Sequence, residues 1–208
     1  LFLAEPSLEF QKPMKKNDLI ARIVDVYGDL LNLFDQFRAP LGAYASIGNH
    51  EYFRGFQQVL KIFSRSPVPL LLNNGVSINR NGQTIYLGGA DDPRYLSKLS
   101  GDFFQRTIDT VMSSAPSEAF SILMSHRPEG FDYASEIGVD LTLAGHHHGT
   151  QIGFNGRSVF ESALPGKYLW GTYKKGASRL YTSAGMGHWF PFRLGCPAEA
   201  PILELKAG

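Results

Sequence analysis

The chain has 208 residues, 43% hydrophobic and 19% charged, with a formal net charge of +1. That length fits one domain able to bury a sizeable core, and the charge points to neither nucleic acid nor an anionic membrane surface. The single cysteine, Cys196, excludes an internal disulfide, and no apolar run reaches the roughly 20 residues that span a bilayer.

Residues 1–16 show no sustained period, contain two prolines, and read as a short ordered piece followed by a loop. No signal-peptide pattern is read there. From Leu19 to Phe37 apolar residues recur at Ile20, Ile23, Val24, Tyr27, Leu30, Leu31, Phe34 and Phe37, which predicts a helix ended by Ala39-Pro40-Leu41-Gly42. A short strand is expected over Gly42–Ile47, leading into the polar cluster Gly48-Asn49-His50-Glu51. Helical spacing returns over Arg54–Phe63, stopped by Pro67 and Pro69, and Pro69–Leu72 reads as a strand. Val76–Asn79 and Thr84–Leu87 flank Asn81-Gly82, a strong hairpin signal. Phe103–Met112 is again helical.

Ala119–Met124 reads as a buried strand ending at Ser125-His126-Arg127-Pro128. A short helix over Phe131–Ile137 leads to a strand over Val139–Ala144 and then Gly145-His146-His147-His148-Gly149. Beyond Gln151 glycines and aromatics alternate with short strand runs at Tyr168–Trp170, Arg179–Thr182 and Pro201–Leu205. Strands and helices alternate up to residue 150 and strands dominate afterwards. The expected architecture is α/β (α+β): two packed mixed β-sheets flanked by helices, in one domain over 1–208.

Three apolar runs, GAYASIGNH, AFSILMSH and VDLTLAGH, each end in Asn or His. Open α/β sheets bind ligands beyond the carboxyl ends of their strands. This placement gathers Asn49, His50, His126, His146 and His148 around one crevice. Neutral imidazoles with an amide oxygen suit Mn, Fe, Zn or Co better than an ion that takes only oxygen. Any one of these residues alone reads equally as a capped turn or a satisfied core histidine.

GNHE at 48–51, SHRP at 125–128 and GHHHGTQ at 145–151 resemble, in order, the last three motifs of the calcineurin-like metallophosphoesterase superfamily. LGAYASIGNHEYFRG, YLGGADDP, MSHRPEGF and GMGHWFPFRLGCPAEAPILEL are similar, more narrowly, to the bacterial phosphodiesterase group of YkuE and YaeI. The resemblance runs from about residue 38 to the C-terminus. It implies a metallophosphoesterase-like sandwich and hydrolysis of phosphate mono- or diesters through metal-activated hydroxide. It implies two divalent metal ions (Mn, Fe or Zn) in a dinuclear centre. Asn49, His126 and His146 would bind one ion and His148 the other. His50 would assist the leaving oxygen as a catalytic residue. His147 would point away from the metals, and Asp92 would either support the site or serve a turn. Arg193 and Glu199 would pair structurally.

The family's first two motifs, DxH and GDxx, have no clear counterpart. Gly28-Asp29 is one candidate, but Asp29 falls within the helical stripe and reads as helix surface. The expectation is that strands carrying these motifs lie upstream of Leu1, so that the domain is N-terminally incomplete and this stretch by itself holds one ion at best. A non-catalytic interaction scaffold with an incomplete metal site is the alternative on the same fold. The expected substrate is a phosphate-ester small molecule or a lipid-like one, with peripheral membrane association among the partners and no nucleic-acid signal. Trp189, Phe190 and Phe192 could line an apolar substrate surface, but the favoured expectation is sheet core. The related group includes membrane-associated and exported members, so cytoplasmic and cell-membrane-associated or exported locations both stay open.

Overall fold

A computed structural model of the chain describes residues 29, 31–37, 39–95, 100–164 and 167–206. Most of the predicted helix over 19–37 lies outside them. Its described end is helical at Asp29 and at residues 31–34, and Asp29 is exposed there. The helices that follow are α1 (Asn49–Phe53), α2 (Phe56–Phe63), α3 (Ser100–Met112) and α4 (Phe131–Glu136). The strands are β1 (Asn74–Arg80), β2 (Gln83–Gly89), β3 (Phe120–Met124), β4 (Leu141–Ala144), β5 (Gly153–Phe154), β6 (Arg157–Ser158), β7 (Gly171–Lys175) and β8 (Ser178–Thr182).

Six strands form one mixed sheet in the order β1-β2-β3-β4-β8-β7, while β5 and β6 make a separate two-stranded sheet. The centre, β2-β3-β4-β8, is parallel, and the hairpin partners β1 and β7 run antiparallel at the edges. The Asn81-Gly82 turn closes the first hairpin. Both residues have positive φ, 51° and 76°, which the twist of a two-residue hairpin requires. The second sheet is smaller than the sequence suggested, because β7 and β8 extend the main sheet instead of founding another.

The main core forms where α3 lies against this sheet. Phe104, Ile108 and Val111, spaced four and three apart, meet Tyr86, Ala90, Leu123, Ala134 and Val139. The Tyr86 hydroxyl donates to the Val111 carbonyl at 2.6 Å, satisfying an end-of-helix acceptor. A second core joins Phe34, Ala45, Val59, Phe63 and Val68. The start of β4 is tied to β3 by Asp140, whose carboxylate accepts from both the amide and the hydroxyl of Ser121 at 2.8 Å.

Four predicted strands differ. Gly42–Ile47 and Pro69–Leu72 meet only at a parallel bridge between Ala45 and Leu70, with Ala45 N donating to Pro69 O at 2.9 Å and Leu71 N to Ala45 O at 2.8 Å. Pro69 has no N–H, so the ladder cannot extend there. Gly89 lets this stretch pass close, because a Cβ on it would overlap the Leu71 carbonyl. Tyr168–Trp170 is not extended: Tyr168 has φ 49° and Gly171 φ 92°, and the strand begins only at Gly171. Pro201–Leu205 has no strand pairing, and Ile202 is 96% exposed.

Leu123 is fully buried in the central strand β3. Replacing it with Ala removes buried methyl groups and leaves a cavity, so Leu123→Ala is expected to cost about 2–5 kcal/mol. Urea unfolding followed by circular dichroism measures it.

Candidate metal centre

The register of β3 and β4 builds the site. Met124 lies opposite Leu143 in the parallel ladder, and the pairing continues past both strands. Ser125 N donates to Leu143 O at 3.0 Å, and Gly145 N donates to His126 O at 3.0 Å. His126 and His146 therefore leave the sheet side by side. Asn49 arrives separately, as the first residue of α1. Its Oδ1 stands 3.0 Å from His126 Nε2, which in turn stands 3.1 Å from His146 Nδ1. Gly48 allows this approach by its lack of a side chain, since a Cβ there would lie 2.6 Å from the His126 ring. The freed Gly48 N–H donates to the buried Glu51 carboxylate at 2.8 Å, fixing the entry into α1.

Metal–donor bonds of roughly 2.0–2.2 Å set near right angles place neighbouring donors about 3 Å apart. The pairs Asn49–His126 and His126–His146 have that spacing. Burial, followed by the charge of His146, holds His126 well below the usual histidine range. Burial, then Arg127, holds His146 down at about 3. Both rings are neutral near pH 7, which is the form that ligates metal.

Proton counting supports the fit. Arg127 NH1 donates to His146 Nε2 at 2.7 Å, so the neutral ring carries its proton on Nδ1 and gives it to His126 Nε2. That nitrogen then faces Asn49 Oδ1, acceptor against acceptor at 3.0 Å. Either the amide turns to present its NH₂ or a cation sits between them. An ion held by His146 Nδ1 also requires the ring proton to move and Arg127 to turn aside. Among the described residues, no three His, Cys, Asp or Glu side chains converge as a metal site; the cluster is two imidazoles and an amide.

Arg127 is itself buried and held. Its Nε pairs with Asp92 at 3.0 Å, and its NH2 donates to the Arg94 carbonyl at 3.2 Å. Burial pushes the Asp92 carboxyl up to about 6, against the pull of Arg127. Asp92 also accepts from the Arg94 amide at 2.6 Å, so it both shapes its loop and anchors Arg127.

The other predicted site residues surround this cluster through contacts of their own. His148 Nδ1 lies 3.3 Å from the Gly187 carbonyl, and its ring is near-parallel to Trp189, 8° between planes and 6.4 Å between centres. The charge of His148 bears on His146. His147 meets Glu129 at 3.4 Å, and Lys167 meets the same carboxylate oxygen at 3.6 Å. Burial raises Glu129, but His147, its own backbone amide and Lys167 together outweigh it and hold the carboxyl down at about 2. His50 is the second residue of α1, half-buried with its ring edge-on to Phe53, and its charge bears on His126. Arg193 and Glu199 do not pair with each other. The Arg193 guanidinium donates to carbonyls including Ala184 at 2.8 Å and Gly185 at 3.2 Å. Glu199 Oε1 accepts from Trp170, Tyr181 and the Ala184 amide at 2.7–3.1 Å.

The backbone around the histidines is strained. His146, His148, Thr150 and Gln151 have φ of 70°, 52°, 58° and 61°. Non-glycine residues rarely adopt such angles, and they cluster at functional sites. Sequence inspection missed Gln151, though it is almost fully buried. Its NH₂ donates to the carbonyls of Phe190 at 2.9 Å and Phe192 at 2.5 Å, and its oxygen accepts from the amides of Trp189 and Phe190. The held segment is not sheet core as expected: Trp189, Phe190 and Phe192 are 59%, 54% and 52% exposed. With no strand pairing, Gln151 fixes their backbone while their rings face outward. A cavity of about 440 Å³ opens between this segment and residues 160–169, with His146 and His147 in its wall.

No family model matches the chain. An uncharacterized metallophosphoesterase of Helicobacter pylori is 29% identical over 191 residues, covering 90% of this chain and 49% of its own length. The uncharacterized metallophosphoesterase YkuE of Bacillus subtilis is 26% identical over 181 residues, covering 86% of this chain and 61% of its own. The chain thus spans about half to three-fifths of these relatives' length. A solved Staphylococcus aureus protein, provisionally named a 5′-nucleotidase, matches with a TM-score of 0.50 at 12% identity, over 82% of this chain and 37% of that one. That likeness is one of fold. Across most of its length the chain is similar in sequence to proteins named metallophosphoesterases, and the solved protein shares its fold.

Proposed function

We propose that this chain carries part of a metal-dependent phosphoesterase site that hydrolyses phosphate mono- or diesters. The observation that carries the reading is that His126, just past β3, stands 3.0 Å from Asn49 at the start of α1 and 3.1 Å from His146 just past β4. These three would hold a divalent ion of the Mn, Fe or Zn kind. When bound, the ion would supply Lewis acidity at phosphorus and lower the pKa of water. His148 would serve a second ion.

In the net reaction the water oxygen bonds to phosphorus as the ester P–O bond breaks. The bonding pair leaves with the ester oxygen, and the water gives up a proton. His50, close enough to His126 for its charge to be felt, would donate a proton to that leaving oxygen. Asp92 holds Arg127 against His146, a contact that an ion on His146 Nδ1 would displace. One observation favours the scaffold reading instead: Arg127 NH1 rests on His146 Nε2, a cation beside the place a metal would take.

Bis-p-nitrophenyl phosphate assayed with Mn on the full-length protein decides between these readings. Turnover that EDTA abolishes and Mn restores is expected. Asn49→Ala, His126→Ala and His146→Ala should each lose both bound metal and turnover. Absence of metal in the wild-type protein, by elemental analysis, would leave the scaffold.

His50→Asn should lower kcat about 10²-fold or more on an alkyl phosphate ester. It should matter far less on p-nitrophenyl phosphate, whose leaving group departs without a proton. Equal losses on both substrates would remove His50 as the proton donor.

Gly48→Ala drives a methyl group into the His126 ring. A stability loss of about 1–3 kcal/mol is expected, together with weaker Mn binding by calorimetry.

A further inference from the structure

The cavity beside the histidines is walled chiefly by Ile152, Phe160, Leu164, Leu169, Trp189 and Phe190. His146 and His147 form part of the same lining. Its volume, about 440 Å³, falls within the range of roughly 300–1,000 Å³ common to small-ligand sites. Leu169 is 1% exposed and closes the bottom, whereas Phe160, Leu164, Trp189 and Phe190 are 43–59% exposed and form the lips.

We propose that this cavity receives an alkyl or acyl chain carried by the phosphate ester whose phosphorus lies at Asn49, His126 and His146. The proposal rests on the phosphoesterase reading for the position of the phosphorus, and adds the substrate class. Continuity is the first reason: His146 belongs both to the donor cluster and to the cavity wall. A group attached to phosphorus there has an apolar space next to it.

The second reason is the way the lip is held. Gln151 uses both ends of its buried amide to fix the backbone of residues 189, 190 and 192. Burying a polar side chain to hold aromatic rings that remain exposed gains no core packing within this chain. It does preorganise an apolar rim.

The third reason is chemical. A nucleobase would ask the cavity for hydrogen-bond partners at its edge. The Gln151 amide is already committed to backbone, and the polar groups that remain, His147 and Lys167, pair with Glu129 at 3.4 and 3.6 Å on one side of the cavity. Six apolar side chains suit a hydrocarbon chain better than a base.

The test uses p-nitrophenyl alkyl phosphates from ethyl to decyl with Mn, at concentrations where they stay monomeric. kcat/KM is expected to rise about two- to fourfold per added methylene and then level off once the cavity is filled. Leu164→Glu, at the exposed lip, should flatten that rise. A flat series with wild-type protein, an unchanged slope in the variant, or a preference for a nucleoside p-nitrophenyl phosphate over the decyl ester would overturn the proposal.

Binding is read separately from turnover. Decyl phosphate should shift the Trp189 fluorescence to the blue and inorganic phosphate should not, with the shift lost in Trp189→Phe. If no ester is hydrolysed yet decyl phosphate gives the shift, the hydrolase reading fails and the chain subsite stands. If bis-p-nitrophenyl phosphate is turned over but no shift and no chain-length effect are seen, the subsite fails and the hydrolase reading stands.

Discussion

The pairing of β3 with β4 is the constraint on which the site depends. A parallel ladder allows no slip without moving every side chain that leaves it. Here the ladder runs on through Ser125 N to Leu143 O and Gly145 N to His126 O, so two histidines twenty positions apart emerge in contact. The core beneath supports that register. Leu123 in β3 packs with Ile108 and Val111 of α3, and Asp140 binds the amide and hydroxyl of Ser121 at the strand starts. Apolar burial thus holds two neutral imidazoles at a fixed separation.

Around this pair the structure accepts local costs. Four non-glycine residues between His146 and Gln151 have positive φ. Arg127 and Asp92 are both buried, and the carboxyl is pushed upward even with a guanidinium beside it. A buried ion pair is weak evidence for stability, because desolvation offsets most of the attraction. Its geometric effect is clearer. Asp92 leaves Arg127 little freedom, and Arg127 selects the tautomer of His146. The same arrangement supports the donor cluster and places a competing cation beside it. Metal loading and the orientation of Arg127 are therefore coupled.

The C-terminal third, although rich in apolar residues, builds little of the main core. Glu199, Arg193 and Gln151 each gather several backbone or side-chain partners, and together they pin residues 184–199 across the histidine loop. Cys196 and Gly149 show how tightly: a Cβ on Gly149 would lie 2.5 Å from the Cys196 sulfur. Polar hubs and one close approach do here what strand pairing does elsewhere. The aromatic residues of this segment are left at the surface, beside the apolar cavity.

Much of the scaffold was legible from local pattern. The 3.6-residue stripe over Phe103–Met112, the Asn81-Gly82 hairpin and the apolar runs before His126 and His146 each state their conformation within a few residues. The motif order also marked Asn49, His126 and His146, which the fold brings together. Sequence by itself determined the helices α2, α3 and α4, the strands β1 to β4 and β8, and the polar residues that follow β3 and β4. It did not determine pairing partners. Residues 42–47 have strand composition, but the neighbouring prolines leave only one bridge. It also could not assign long-range hydrogen bonds. Gln151, Arg193 and Glu199 are ordinary polar residues in the chain, and only their partners, up to 45 positions away, make them structural. The exposure of Trp189 and Phe190 was decided in the same way: their apolarity argues for burial, while the backbone bonds of Gln151 hold the segment where the rings meet solvent. Local propensity acts over a few residues; contacts between distant segments are set only when the chain closes on itself.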